Sequence, residues 1–349
     1  MGANVFNYFG GNVLLNILID ILKIAFLLGF IILIHECGHF FMARWCKVKV
    51  KEFAIGFGPT IWRKQGDYTK YAVRLIPLGG FVNMLGEEER SEEEGSFNKA
   101  NIIKRILIIL AGGIVNILFG LVVYFILVSA SGNYISTTID QVTAGDGAQI
   151  AGIQSGDEIV KIEGKKIRLK SDLDTIVSGS NGNTLDITIK RGDETKDISV
   201  TPTKKDDDKY YLGVMLKPAE NTFTNNIYYG FWDTMNFSTS IIDNLRQLFA
   251  GAVSTDDLMG PVGVSEVVTK THGFYEFIYM VGFISLSLGV TNLLPFPPLD
   301  GGKVVLLIIE GIRRKPLKEK VEIGIQMVGF VLLIGLSIYV TYNDILRIF

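Results

Sequence analysis

The chain has 349 residues, 48% of them hydrophobic and 20% charged, with a formal net charge of −2 and a mean hydropathy of +0.33. That is too apolar for an ordinary soluble protein of this charge content, and the near-zero net charge excludes the basic footprint of a nucleic-acid binder. Its two cysteines, Cys37 and Cys46, lie about 13 Å apart if both ride one helix at roughly 1.5 Å per residue, too far to bridge.

Four runs reach the roughly 20 residues a spanning helix needs: about Val13–Met42, Ile102–Ser129, Phe274–Leu294 and Val321–Tyr342. The first is too long for a signal h-region and lacks a small-residue cleavage site, so a signal peptide is not expected. Its Asp20 and Lys23 read as an i,i+3 pair near the membrane surface. Basic clusters orient the spans. Arg44, Lys47, Lys49 and Lys51 follow the first, Lys104 and Arg105 precede the second, and Arg313, Arg314, Lys315, Lys318 and Lys320 separate the third from the fourth. All belong on the cytoplasmic side, which leaves both termini and the stretch between the second and third spans outside.

The first span carries His35-Glu36-Cys37-Gly38-His39. Histidines four apart share one helix face, the geometry two zinc ligands need, and the intervening Glu36 is placed to act as general base. Two histidines and a glutamate in an apolar span are costly without a function. Cys37 lies about 200° around the helix from His35 and is not a candidate ligand.

Residues 48–100 form the first loop. Val48–Pro59 alternates in part and ends in turn residues, Thr69–Leu78 alternates more clearly, and Gly79-Gly80-Phe81-Val82-Asn83-Met84 extends it. A small antiparallel sheet is expected, apolar enough to dip into the membrane against the site, with the 69–76 stretch as a substrate-pairing edge. The acidic run Glu87–Gly95 reads as a solvated, mobile linker. In the second span (101–132), Ala111, Gly112 and Gly113 allow close helix packing and Asn116 should face protein.

Residues 133–218 turn polar, with short alternating runs at Thr138–Val142, Glu158–Ile162, Leu185–Lys190 and Lys196–Val200. Ala148–Gly164 resembles the signature of bacterial PDZ domains, which capture extended peptide by adding it to a sheet edge. Lys204–Lys209 reads as a solvated turn between strands. Residues 219–273 are amphipathic, either lying at the outer membrane surface or packed on the PDZ domain, and a short helix should start near Pro261.

A catalytic zinc site usually takes three protein ligands. The remaining histidine, His272, falls on the outer side, so the third ligand is sought among carboxylates. Asn292-Leu-Leu-Pro295-Phe-Pro297-Pro298-Leu299-Asp300-Gly301-Gly302 ends the third segment (274–315) in expected extended chain. Asp300 falls at the depth of His35. As a helix N-cap or as a ligand it is about even alone, and the nearby His-Glu-x-x-His favours ligand. Glu310 is the weaker competitor. The last span occupies 316–349.

Taken in this order, His35-Glu-x-x-His39, the Gly79-Gly80 stretch, an intervening PDZ domain and Asn292…Pro295-x-Pro297-x-Leu299-Asp300-Gly301 resemble the site-2 family of intramembrane zinc metalloproteases. The closer likeness is to the bacterial regulated-intramembrane-proteolysis branch that cleaves anti-sigma factors. The resemblance implies a multi-pass α-helical membrane protein of four transmembrane helices, with a membrane-associated β-hairpin sheet and one extracytoplasmic PDZ domain. It implies that His35, His39 and Asp300 bind Zn2+, that Glu36 is the catalytic base, and that Asn292, Pro297, Gly79 and Gly80 help hold substrate. The expected partners are single-span membrane proteins of anti-sigma-factor or remnant-signal-peptide type, a peptide or substrate ectodomain at the PDZ domain, and the lipid bilayer of a bacterial cell membrane, with no nucleic acid. The sequence departs from the family at Gly113, where proline is common, and at Ser287, where some members carry asparagine. Its room for one PDZ domain rather than two points to a Gram-positive type. The opposing function class is an inactive membrane scaffold, against which the intact His35, Glu36, His39 and Asp300 argue.

Overall fold

A computed structural model describes residues 3–87, 89–131, 134–205, 208–250, 260–269, 271 and 273–348. The chain divides into two compact units, Met1–Val123 with Phe237–Phe349, and Tyr124–Asn236. His272 lies outside the described residues.

In the first unit, α1 (Ala3–Trp45) is one continuous helix. It is followed by β1 (Val50–Gln65), β2 (Lys70–Met84) and α2 (Ile102–Ser131), whose first part belongs to this unit. Among the described residues, four helices are long and apolar enough to cross a membrane: Leu18–Trp45, Ile102–Leu127, Phe274–Asn292 and Glu319–Leu346. Their composition explains both faces. Leu27 and Ile31 of α1 are buried against Val268, Met280 and Val281, whereas Leu22 and Phe26 stand outward. A helix apolar on every side needs an apolar surrounding as well as an apolar core. Asp20 and Lys23 do pair, at 3.5 Å, and Cys37 and Cys46 are both free thiols.

The β1–β2 pair is antiparallel but doubled back on itself. Glu52–Ile55 are in register with Gly80–Asn83 and also with Lys70–Val73, while Trp62–Gln65 take the other side of Lys70–Val73. The expected turn near Gly56–Pro59 is therefore a bend within β1, where Gly56 and Gly58 both have φ of +84°. The doubling changes which strand is an edge. Residues 70–73 are flanked on both sides, so the 69–76 stretch is not the free edge that the alternation suggested. The segment Gly80–Met84 pairs with β1 alone.

The acidic run is not a free linker. Arg90 donates to the carbonyl of Leu317 at 2.6 Å, Ser91 and Asn98 exchange two hydrogen bonds, and Glu87 pairs with Lys303 at 3.2 Å. Charge made the segment look solvated. Lys99 pairs with Glu92 from seven residues on, but Lys303 lies 216 residues from Glu87, and no local pattern could show that contact.

In the second unit, β3 (Ile135–Val142), α3 (Gly147–Ile150), β4 (Glu158–Ile162), β5 (Lys165–Lys166), α4 (Lys170–Gly179), β6 (Leu185–Arg191), β7 (Glu194–Val200), β8 (Thr203–Lys204), β9 (Tyr210–Tyr211) and β10 (Val214–Pro218) follow in turn. The main sheet runs β10-β3-β4-β6-β7. Ile187 and Ile189 alternate into one core, which Ile159 and Ile162, three apart across a register shift, share with Val200 and with Leu173 and Val177 of α4. Arg191 grips the buried Asp157 through two hydrogen bonds of 2.7 and 2.8 Å. The unit is wider than residues 133–218, because it includes the first part of α5 (Phe223–Phe249). There Tyr229 stacks on Tyr134 at 4.5 Å and Arg168 lies 3.8 Å over the Trp232 ring, so this part of the amphipathic helix packs on the β-domain.

The chain then returns to the first unit with α6 (Pro261–Thr269), α7 (Phe274–Asn292), α8 (Asp300–Arg313) and α9 (Glu319–Ile348). Between α7 and α8 it is not extended. It turns tightly, with the Phe296 N–H donating to Leu294 O and the Leu299 N–H to Phe296 O. An added Cβ at Gly301 would lie 2.5 Å from the Leu293 carbonyl carbon. Only a residue without one lets the first turn of α8 fold back onto this corner.

Candidate metal centre

Two membrane-length helices and one corner build the site. On α1, His35 and His39 stack edge to face with ring centroids 4.7 Å apart. His39 is fixed from α2: its Nδ1 donates to the carbonyl of Ile108 at 2.8 Å. That places the proton on Nδ1 and leaves the Nε2 lone pair facing inward, as a metal-ligating histidine requires. Asp300, in the first turn of α8, completes the group, its Oδ2 lying 3.2 Å from His35 Nε2 and 3.3 Å from His39 Nε2. The two Nε2 atoms are 3.1 Å apart.

These three distances test whether a metal fits. Tetrahedral zinc with ligands at about 2.0–2.1 Å separates its donor atoms by roughly 3.3 Å. The observed triangle has sides of 3.1 to 3.3 Å. Asp300 Oδ2 is buried, yet it makes no hydrogen bond of acceptable geometry. Two imidazole nitrogens and a carboxylate oxygen this close, in a buried place, are a donor set that a shared divalent cation would satisfy. Among the described residues this is the sole His/Cys/Asp/Glu group arranged to hold one.

The helix-cap alternative for Asp300 does not hold. The N-cap of α8 is Leu299, and Asp300 lies inside the first turn. Glu310 is elsewhere, gripped by Arg105 of α2 at 2.6 and 3.4 Å.

Glu36 faces a different neighbour. The backbone N–H of Val82, on the free edge of Gly80–Met84, faces its carboxylate, and a Cβ on Gly80 would stand 3.7 Å from Glu36 Cγ. Gly79 has φ of +94° and abuts Ile32. Both glycines therefore lie where α1 meets the sheet. Asn292 ends α7, half-buried. Pro297 lines an apolar groove with Val321, Ile325 and Val328 of α9.

Sequence reasoning missed Gly112. A Cβ there would come within 2.7 Å of Cε1 of both histidines, and closer still to His39 Nε2. Its neighbour Ala111 lies against Gly38, where an added Cβ would be 2.5 Å from Ala111 O. The pair lets α2 run directly across the imidazoles. The signal was present as Ala111-Gly112-Gly113 but reads equally well as ordinary helix packing.

The family model of Peptidase family M50 matches residues 23–336. The chain belongs to peptidase family M50. It is a zinc metalloprotease of the site-2 type. The Regulator of sigma-W protease RasP of Bacillus subtilis is 30% identical, over 93% of this chain and 98% of its own. The zinc metalloprotease RasP of Geobacillus kaustophilus is 27% identical, over 95% and 98%. A protein of Clostridium acetobutylicum whose name assigns it provisionally to the zinc metalloproteases is 35% identical, over 95% and 97%. The crystal structure of a PDZ domain from an SdrC-like protein of Listeria innocua covers 25% of this M50 chain at 19% identity, with a TM-score of 0.22. That score is too low to carry an argument.

Proposed function

We propose that this M50 metalloprotease hydrolyses peptide bonds within or near the transmembrane segment of single-span membrane proteins, in regulated intramembrane proteolysis. The convergence of His35, His39 and Asp300 within 3.3 Å of one another, with Glu36 adjacent, carries the reading. His35, His39 and Asp300 would hold the zinc. Zinc, when bound, supplies Lewis acidity that makes water a nucleophile near neutral pH and polarises a carbonyl. Glu36 accepts the proton from the attacking water and returns it to the leaving amine, a general base and acid in turn. His39 is held in the correct tautomer by Ile108 O.

A transmembrane helix hides its peptide groups in internal hydrogen bonds, so the substrate must be unwound before attack. The edge Gly80–Met84 can take the unwound chain as an added strand, which sets a scissile carbonyl beside Glu36. Asn292 is near enough in sequence to the Asp300 corner to serve freed backbone groups, with Gly79 and Gly80 shaping the edge. The basic clusters support a cytoplasmic placement of the site and an extracytoplasmic placement of the PDZ domain. In that domain, β10 and β7 are the edges of the main sheet, and an edge is where a PDZ domain takes up peptide. The name of the B. subtilis relative ties that protein to sigma-W regulation, and an anti-sigma-factor type of substrate is proposed here on that likeness.

The test is purification in detergent, metal analysis, and cleavage of a single-span substrate by wild type and by Glu36→Gln. Zinc retained with cleavage lost is the expected result. Equal cleavage by both proteins would remove Glu36 from the mechanism.

A further inference from the structure

Lys303 lies three residues beyond Asp300 on α8, hence on the same helix face. It is not a metal ligand, yet the charges of both Asp300 and Glu36 reach it. Its Nζ pairs with Glu87 Oε1 at 3.2 Å, and the Glu87 side chain is only 18% exposed. Glu87 stands directly after β2, and its N–H donates to Met84 O. Met84 closes the edge whose Val82 N–H faces Glu36. The contacts thus form a ring around the metal centre. From Glu36 it passes to Val82, along the edge to Met84 and Glu87, across the ion pair to Lys303, back one turn to Asp300, and through the histidines to α1. Every link but one is backbone, a helix turn or a ligand contact. Beside the apolar cluster that Met84 and Val82 share with Val304 and Leu307 of α8, the Glu87–Lys303 ion pair is the charged tie, among the described residues, between the strand edge and the helix that carries Asp300.

We propose that Glu87 and Lys303 form a positioning latch for the proteolytic reaction, holding the Gly80–Met84 edge in fixed register against Asp300 so that one bond of an extended substrate segment is presented to Glu36. The pair takes no part in the proton transfers assigned to Glu36. It acts through the strand and through α8. Without it, the edge stays attached to β1 by its ladder but slides or tilts against the zinc ligands. A shift of about 1 Å in such a site costs up to a hundredfold in rate. Because side chains along an added strand alternate in facing, a loosened edge also blurs which bond is cut.

The inference rests on the proposed zinc site, so Glu36→Gln is included in the same experiment. Full-length wild type, Lys303→Met, Glu87→Gln, the double variant and Lys303→Arg are purified in detergent. Zinc per chain is measured, a single-span substrate is digested, and the products are located by mass spectrometry. The latch predicts that each single variant keeps its zinc, cleaves roughly tenfold more slowly, and cuts at two or more neighbouring bonds where wild type cuts at one. The double variant loses no more than either single, because a pair acting as a unit is non-additive. Lys303→Arg retains wild-type cut position. A general loss of stability would lower yield and rate without moving the cut, so the cut position separates the two. Were Lys303→Met to fail to accumulate, Glu87→Gln decides alone. Wild-type rate with a single cut in Glu87→Gln overturns the latch, as does zinc loss in that variant or additive losses in the double. If Glu36→Gln cleaves like wild type, the zinc-site reading has failed instead.

Discussion

Gly112→Ala puts the largest demand on the smallest change. Alanine is the better helix former by about 1 kcal/mol, so backbone propensity alone predicts a more stable α2. The structure predicts damage to the site. The new methyl would stand 2.7 Å from Cε1 of both His35 and His39, where ordinary contact is about 3.5 Å. The shortfall of about 0.8 Å cannot be absorbed by a flexible tip, because the obstacles are two rings already fixed by Ile108 O and by α1. Either α2 retreats, which withdraws Ile108 O from His39, or the rings rotate and the 3.1 Å spacing of their Nε2 atoms is lost. A displacement near 1 Å should lower turnover about a hundredfold and weaken zinc retention on dialysis against a chelator. Gly335→Ala is the control, since an added methyl at that position meets nothing within 4 Å, and it should leave both quantities unchanged. Zinc content by elemental analysis and cleavage of a single-span substrate read the result. Wild-type zinc retention and rate in Gly112→Ala would refute the claim that α2 holds the imidazoles by direct contact.

Three further outcomes follow from single contacts. Asp300→Asn removes the only anionic donor of the triangle, and purified protein should lose most of its zinc while Glu310→Gln keeps it. Val82→Pro deletes the N–H that faces Glu36 on an otherwise free edge, a position where a strand tolerates proline. Cleavage should slow tenfold or more with zinc intact, and an unchanged rate would sink strand addition at this edge. In the second unit, hydrogen bonding from Arg191 holds the Asp157 carboxyl below its ordinary range, against the opposing effect of its burial. A depressed folded-state pKa gives stability that is present above the unfolded value near 3.9 and lost as pH falls through the folded one. The protection factors of the Ile159 and Ile189 amides, with intrinsic exchange divided out, should therefore fall in acid below about pH 4. Asp157→Asn should cost about 2 kcal/mol at pH 7 and flatten that dependence.

What could be read from the sequence follows the range of the interactions involved. His35 and His39 are legible because four residues on a helix is a local distance. The four apolar runs are legible because membrane-length helices announce themselves one segment at a time. Asp300 needed a chemical argument, that a zinc site wants a third ligand and the chain has no suitable histidine, together with a matched depth. Three things stayed hidden. The sheet's free edge depends on how β1 folds back across β2, and the alternation of 69–76 is the same whether that stretch is central or at the edge. Gly112 was visible only as a small residue, because its partners are imidazoles some 75 positions earlier. Glu87 sat in a run whose composition spoke for solvent.

The site therefore combines parts of different rigidity. His35, Glu36 and His39 share one helix, so their mutual geometry follows from the helix itself. Asp300 is placed by a tight corner and by α8, and the Gly80–Met84 edge by a doubled hairpin. Neither of these is set by α1 in sequence. Catalysis by positioned groups tolerates errors well below 1 Å, so the contacts that join the three parts matter as much as the ligands. Ile108 O on His39, Gly112 beneath both rings, Val82 N–H on Glu36, and Arg105 with Glu310 between α2 and α8 are all joints of this kind. None of them contributes an atom to the proposed proton transfers, and each fixes one part against another. An inactive scaffold would have no use for such a set of joints converging on His35, His39 and Asp300.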